Sequence, residues 1–176
     1  MTIAHPSCKI MYSPITRTLL EGERRQVLQA SEWRMERAKA KKATCQKKSG
    51  RSDELIETNG VAGEFLFGLQ FNLMPDLAFE RTSKPDFILP DGRTVDVKTG
   101  GDDAEHLVVG ENQIADLYFG VTGNYRTSWT YTLHGFATKE EVFIEKWITP
   151  TRGAYWLPLD WTHSLPSITT TKGYTL

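Results

Sequence analysis

An α/β fold with a mixed central sheet flanked by helices, preceded by a basic helix, is what this sequence predicts. Three observations carry the expectation. Two helical patterns come first, from Glu21 to about Lys48 and from Ser52 to Phe71. Segments rich in β-branched and aromatic residues fill 77–137, and Thr138 ahead of Lys139-Glu140-Glu141 signals one more short helix. Helix, helix, strands, helix is the order of an α/β or α+β domain.

At 176 residues the chain has the length of about one domain. A chain of that size buries enough surface to fold without disulfides or metal staples. Its cysteines, Cys8 and Cys45, stand too far apart for a CxxC zinc motif. No run of apolar residues is long enough for a membrane span. The start, MTIAHPSCKIMYSPI, lacks the apolar core of a secretion signal, so the expected location is cytoplasmic, or the host cytoplasm for a viral protein. No GxxxxGK[ST] or GxGxxG is present, so ATP and dinucleotides are not indicated. The histidines show no HxH or HxxxH spacing suited to zinc.

Taken in order, residues 1–20 carry no clear period, and Pro6 and Pro14 break any helix. Glu21 to Lys48 is rich in helix formers, with Val27, Leu28, Trp33 and Met35 as a thin apolar stripe. The net charge of the chain is −1, yet Glu21–Arg51 holds ten Lys/Arg against four Glu. Such a basic arm suits a polyanion, with Lys39, Lys41, Lys42, Lys47 and Lys48 as its contacts. A solvated helix, or one packed on a second copy in a homodimer, is the competing use.

After a linker marked by Ser49, Gly50 and Ser52, Ser52 or Asp53 caps a second helix. Apolar residues surround it, which marks a buried helix. One stripe is the exception: Gly60, Glu64 and Gly68, spaced i, i+4, i+8, predict a bare groove with a carboxylate at its centre. Strands are expected at 77–82, 86–89, 93–99, 106–109, 115–121 and 128–137, with a Gly123-Asn124 hairpin between the last two. Thr138 and Glu141 form a capping box for a helix reaching about Trp147. The tail after Pro150 is too apolar at Trp156, Leu157, Leu159 and Trp161 to stand in water, so it is expected to wrap the body. The segments are thus 1–51, a core of 52–148, and a tail of 149–176.

The stretch that points to chemistry is KPDFILPDGRTVDVKT, residues 84–99. Leu89-Pro90-Asp91-Gly92-Arg93 reads as a three-residue hairpin loop, with Gly92 in the left-handed position. Pairing Leu89 with Arg93 brings Asp86 opposite Asp96, with Cβ atoms about 5 Å apart. Lys98, two residues past Asp96, points to the same face. A two-residue loop would turn Asp86 to the other face. Carboxylates this close repel unless a positive charge joins them, and Lys98 or a divalent ion would serve. Glu64 adds a third carboxylate if its helix packs on this sheet. Such a set suits phosphodiester hydrolysis, whose barrier is largely electrostatic.

Glu64 on a helix, Pro85-Asp86, then Asp96-Val97-Lys98 resemble the PD-(D/E)XK nuclease superfamily over about residues 52–147. The resemblance implies a restriction-endonuclease-like core. It also implies Mg²⁺ (or Mn²⁺) on Asp86 and Asp96, Glu64 completing the site, Lys98 assisting the attacking water, and DNA as substrate. Many members have a helix between the third and fourth core strands. Here 110–116 leaves room only for a short one or none. The function expected is a Mg²⁺-dependent nuclease of the endonuclease, resolvase or phage type. The alternatives are a nuclease-fold binding module without catalysis and a viral assembly protein. Asp116 is read as a turn cap, and Glu111 and Gln113 as a polar loop.

Overall fold

The computed structural model describes residues 14–40, 52–75, 84–144, 147–148 and 153–163. The expected strand at 77–82, and Lys41, Lys42, Lys47 and Lys48, lie outside the described residues. In chain order the elements are β1 (Ile15–Thr18), α1 (Glu21–Ala40), α2 (Asp53–Phe71), β2 (Phe87–Ile88), β3 (Thr94–Gly100), β4 (His106–Gly110), β5 (Leu117–Gly123), β6 (Thr130–Thr138), α3 (Lys139–Val142) and β7 (Ala154–Pro158). A five-stranded sheet runs β1-β6-β5-β3-β2, and β4 and β7 form a second, two-stranded sheet. The large sheet is mixed: β3 and β5 are parallel, and its other pairs are antiparallel.

Ser52 caps α2, its hydroxyl accepting from Leu55 N at 3.2 Å. The helix ends at Asn72, which takes the left-handed conformation at φ 52°. In between, α2 lies across β3, β5 and β6. Its Val61, Leu66 and Phe67 share one core with Val95, Val97, Leu117, Phe119, Val121 and Leu133. Phe67 is the hub, with the rings of Phe71, Phe87 and Phe119 at 4.6, 4.7 and 4.7 Å. Gly63 sets the distance of helix from sheet: a Cβ there would stand 1.9 Å from Thr99 Oγ1. The groove expected along Gly60, Glu64 and Gly68 does not form as a whole. A Cβ on Gly60 would meet nothing within 4 Å, but one on Gly68 would run into Leu73 O, because the chain turns back there.

The helix α1 packs on α2 through Val27, Ala30, Ser31, Arg34 and Ala38. Of the stripe of large residues expected from the sequence, only Val27 is buried there. Leu28 and Trp33 are 43% and 42% exposed, and Arg37 lies 4.5 Å over the Trp33 ring. Alanine and serine at the contact let the two backbones come close, and that displaces the bulky residues to the outside.

The two ends of the chain join the same body. Residues 15–18, which carry no sequence period, add β1 to the open edge of β6, and Leu19 behind it is fully buried. In the tail, β7 pairs with β4 from His106↔Pro158 to Gly110↔Ala154, which agrees with the expected wrapping. A second core of Leu107, Val109, Tyr118, Ala137, Val142 and Leu157 lies beneath that pair. The Thr138 capping box is present, but α3 stops at Val142 rather than near Trp147. The β5–β6 connection spans 124–129, a longer loop than the expected Gly-Asn turn. Between β4 and β5 residues 111–116 form no helix. None of the described helices is long and apolar enough to cross a membrane.

Candidate functional site

The hairpin between β2 and β3 positions the first pair of site residues. Leu89 N donates to Arg93 O at 2.8 Å, Gly92 N donates to Leu89 O at 2.9 Å, and Gly92 sits at φ 87°. That is the three-residue loop expected of Pro-Asp-Gly. Phe87 then faces Val95 and Ile88 faces Thr94. The next residues in that register are Asp86 and Asp96. Pro85 precedes them with no N–H to give, and β2 begins only at Phe87. Asp86 fills the place a longer strand would take: its Oδ2 accepts from Val97 N at 2.7 Å. A carboxylate thereby satisfies an edge N–H that strand pairing leaves open.

Strand alternation sets the rest. Val95 and Val97 point into the core under α2. Asp96 and Lys98 therefore occupy the opposite face of β3, where Asp96 pairs in register with Tyr118 and Lys98 with Gly120. Lys98 Nζ donates to Asp96 Oδ1 at 2.6 Å, and both side chains are largely buried. Asp86 stands at the sheet edge, just before β2. Burial pushes its carboxyl up to about 8, with the neighbouring charges of Glu64 and then Asp96 adding to the shift. The Val97 N–H and the Lys98 charge act the other way without cancelling it.

Glu64 has a partner that sequence reasoning did not assign. Arg34 of α1 donates through Nη1 to Glu64 Oε1 at 2.8 Å and through Nη2 to Oε2 at 2.6 Å. Glu57 lies 3.7 Å from the same guanidinium. Burial works against the charge of Arg34, yet the hydrogen bonds and charges of Glu64, Glu57 and Asp86 hold its pKa above the ordinary value. One signal was present in the sequence. Arg34 falls in the row Val27, Ala30, Ser31, Arg34, Ala38, a helical stripe of small residues, and a charge inside a buried stripe needs a partner.

The structure thus brings Asp86, Asp96 and Lys98 together at one edge of β3. The charge of Glu64 acts on Asp86, and both Glu64 oxygens are engaged by Arg34. Among the described residues, no group of three or more His, Cys, Asp or Glu is arranged to hold a metal. A fit for Mg²⁺ or Mn²⁺ therefore rests on two carboxylates. Asp86 and Asp96 each have one oxygen in a described hydrogen bond, leaving Asp86 Oδ1 and Asp96 Oδ2 for a cation. Hard divalent ions accept one or two carboxylates and keep several waters. The mutual repulsion that raises Asp86 is what such an ion would relieve. The residues fit the ion on that count.

Asp116, read from the sequence as a turn cap, instead bonds across to Thr94, 22 residues earlier. Its Oδ2 accepts from Thr94 N and Thr94 Oγ1, both at 2.7 Å, and these bonds hold its pKa below the ordinary carboxylate value. It braces the start of β3 from the loop before β5. Lys39 is exposed near the C-terminal end of α1.

Asp86 also makes a pH prediction. A carboxyl that binds its proton more tightly in the folded chain than in the unfolded one contributes stability below the unfolded pKa, near 4. That contribution is lost as pH rises through about 8. In cation-free buffer the melting temperature of the wild type should fall between pH 5 and pH 9. Asp86→Asn keeps an oxygen for Val97 N and should flatten the decline, with an advantage at pH 9 on the order of 5 °C. A parallel decline in both proteins would show that Asp86 does not carry it.

No family model matches this chain, and no curated protein and no solved structure matches it.

Proposed function

We propose that the chain is a divalent-metal-dependent nuclease that hydrolyses DNA phosphodiester bonds, with Asp86, Asp96 and Lys98 as its reacting groups. The observation that carries the reading is the hairpin register, which sets Asp86 beside Asp96 with Lys98 bonded to the second of them. Asp86 and Asp96 would hold Mg²⁺ or Mn²⁺, which would supply positive charge to a phosphodiester bound there. Lys98 orients the attacking water beside Asp96 and offers its ammonium charge to the same developing negative charge. Glu64, with both oxygens bonded to Arg34, is assigned no part in holding the cation. Affinity for the DNA backbone is assigned to the basic segment, of whose five named lysines Lys39 is the one among the described residues, because Lys and Arg neutralise phosphates.

A second reading, a nucleic-acid-binding module without catalysis, draws on one observation: Glu64 is closed off by Arg34. The experiment is a cleavage panel in Mg²⁺ with duplex, single-stranded and branched DNA and with RNA. Cleavage of a DNA substrate that stops with chelator supports the nuclease. Binding to DNA with no cleavage of any substrate favours the module.

A further inference from the structure

We propose that Arg34 is a positioning residue that withholds Glu64 from the cation, so that Asp86 and Asp96 alone among the described carboxylates set cation affinity. The inference rests on the cation site proposed above and says which side chains are kept out of it.

A guanidinium presents paired N–H groups whose spacing matches the two oxygens of a carboxylate. Arg34 uses this match in full on Glu64, at 2.8 and 2.6 Å, with side-chain exposures of 9% and 11%. Bonds between buried charges gain strength from the low local dielectric. To ligate an ion, Glu64 would have to give up one or both bonds and leave a buried guanidinium short of charge, which is costly. Glu57, 3.7 Å from the same guanidinium, does not replace the two-point contact. The helix that carries Arg34 is thereby part of the site, although its sequence reads as an accessory arm.

The consequence runs against ordinary expectation for a structural ion pair. Removing Arg34 frees a third carboxylate beside Asp86 and should tighten cation binding, whereas damage to the fold would loosen it. The test is calorimetric titration of Mn²⁺ into the full chain, with melting temperature recorded for every variant. Glu64→Gln should bind within about twofold of wild type, because the ligand count is unchanged. Arg34→Gln should bind about tenfold tighter, since each added carboxylate raises affinity. The double variant should return to within about twofold of wild type. If Arg34→Gln does not fold, Arg34→Lys decides. Lysine keeps the charge but cannot fork, and binding about threefold tighter than wild type is expected. Weaker binding in Glu64→Gln, or no gain in the Arg34 variants, would overturn the role of Arg34. Asp96→Asn separates this result from the site reading. Wild-type affinity in that variant would overturn the two-aspartate site, and a gain in the Arg34 variants would still stand.

Discussion

Asp96→Ala is expected to abolish Mg²⁺-dependent cleavage of DNA, by about a thousandfold or more in kcat, while the protein stays folded. Asp96 contributes no apolar contact to either core, and its pairing is with Lys98. Its removal takes away one of two carboxylates for the cation and leaves Lys98 without that partner. Lys98→Ala is expected to cost about a hundredfold to a thousandfold, the usual worth of one preorganised charge at a developing oxyanion. Both variants should keep the wild-type melting profile to within a few degrees. Single-turnover cleavage at saturating DNA measures the effect without interference from the basic segment. Full activity in both variants would end the assignment of β3 as the catalytic strand.

Arg34→Ala is expected to give the largest loss of stability, about 3–5 kcal/mol, because it leaves the buried charge of Glu64 without its cation. For a chain of this size that is a fall of about 10 °C in melting temperature. Replacing both partners, Arg34→Met with Glu64→Leu, should recover most of the loss, since an apolar pair of similar volume carries no desolvation cost. Urea unfolding of the single and double variants gives the coupling between the two residues. A loss below about 1 kcal/mol in Arg34→Ala, the range of exposed ion pairs, would mean that the pair is solvated in solution.

Local chemistry made part of this fold legible. Pro90-Asp91-Gly92 sets the loop, the loop sets the register, and the register puts Asp86 opposite Asp96. Ser52 and the Thr138–Glu141 box mark helix starts because their side chains bond to backbone amides within the same turn. What escaped was decided by distant partners. Residues 15–18 become a strand because β6 offers an open edge, and four residues with an inside-outside pattern are too few to signal it. β7 was legible as apolar but not as a strand, since Pro158 ends it and Gly153 precedes it. Arg34 was hidden among the ten cations of its segment, and nothing local to α1 points to Glu64, thirty residues on. Glu64 itself was singled out between two glycines, but the close approach to the sheet is made at Gly63, one residue away. The faces of α2 depend on how it lies across β3, which composition does not report.

The central claim is that Asp86 and Asp96 hold one divalent cation at the edge of β3. Crystals soaked in Mn²⁺ and measured for anomalous scattering test it most directly. An anomalous peak is expected within coordination distance of both Asp86 and Asp96, about 2.0–2.6 Å from their oxygens, with Glu64 still bound to Arg34. A peak elsewhere on the chain, or none at a concentration that supports cleavage, would contradict it.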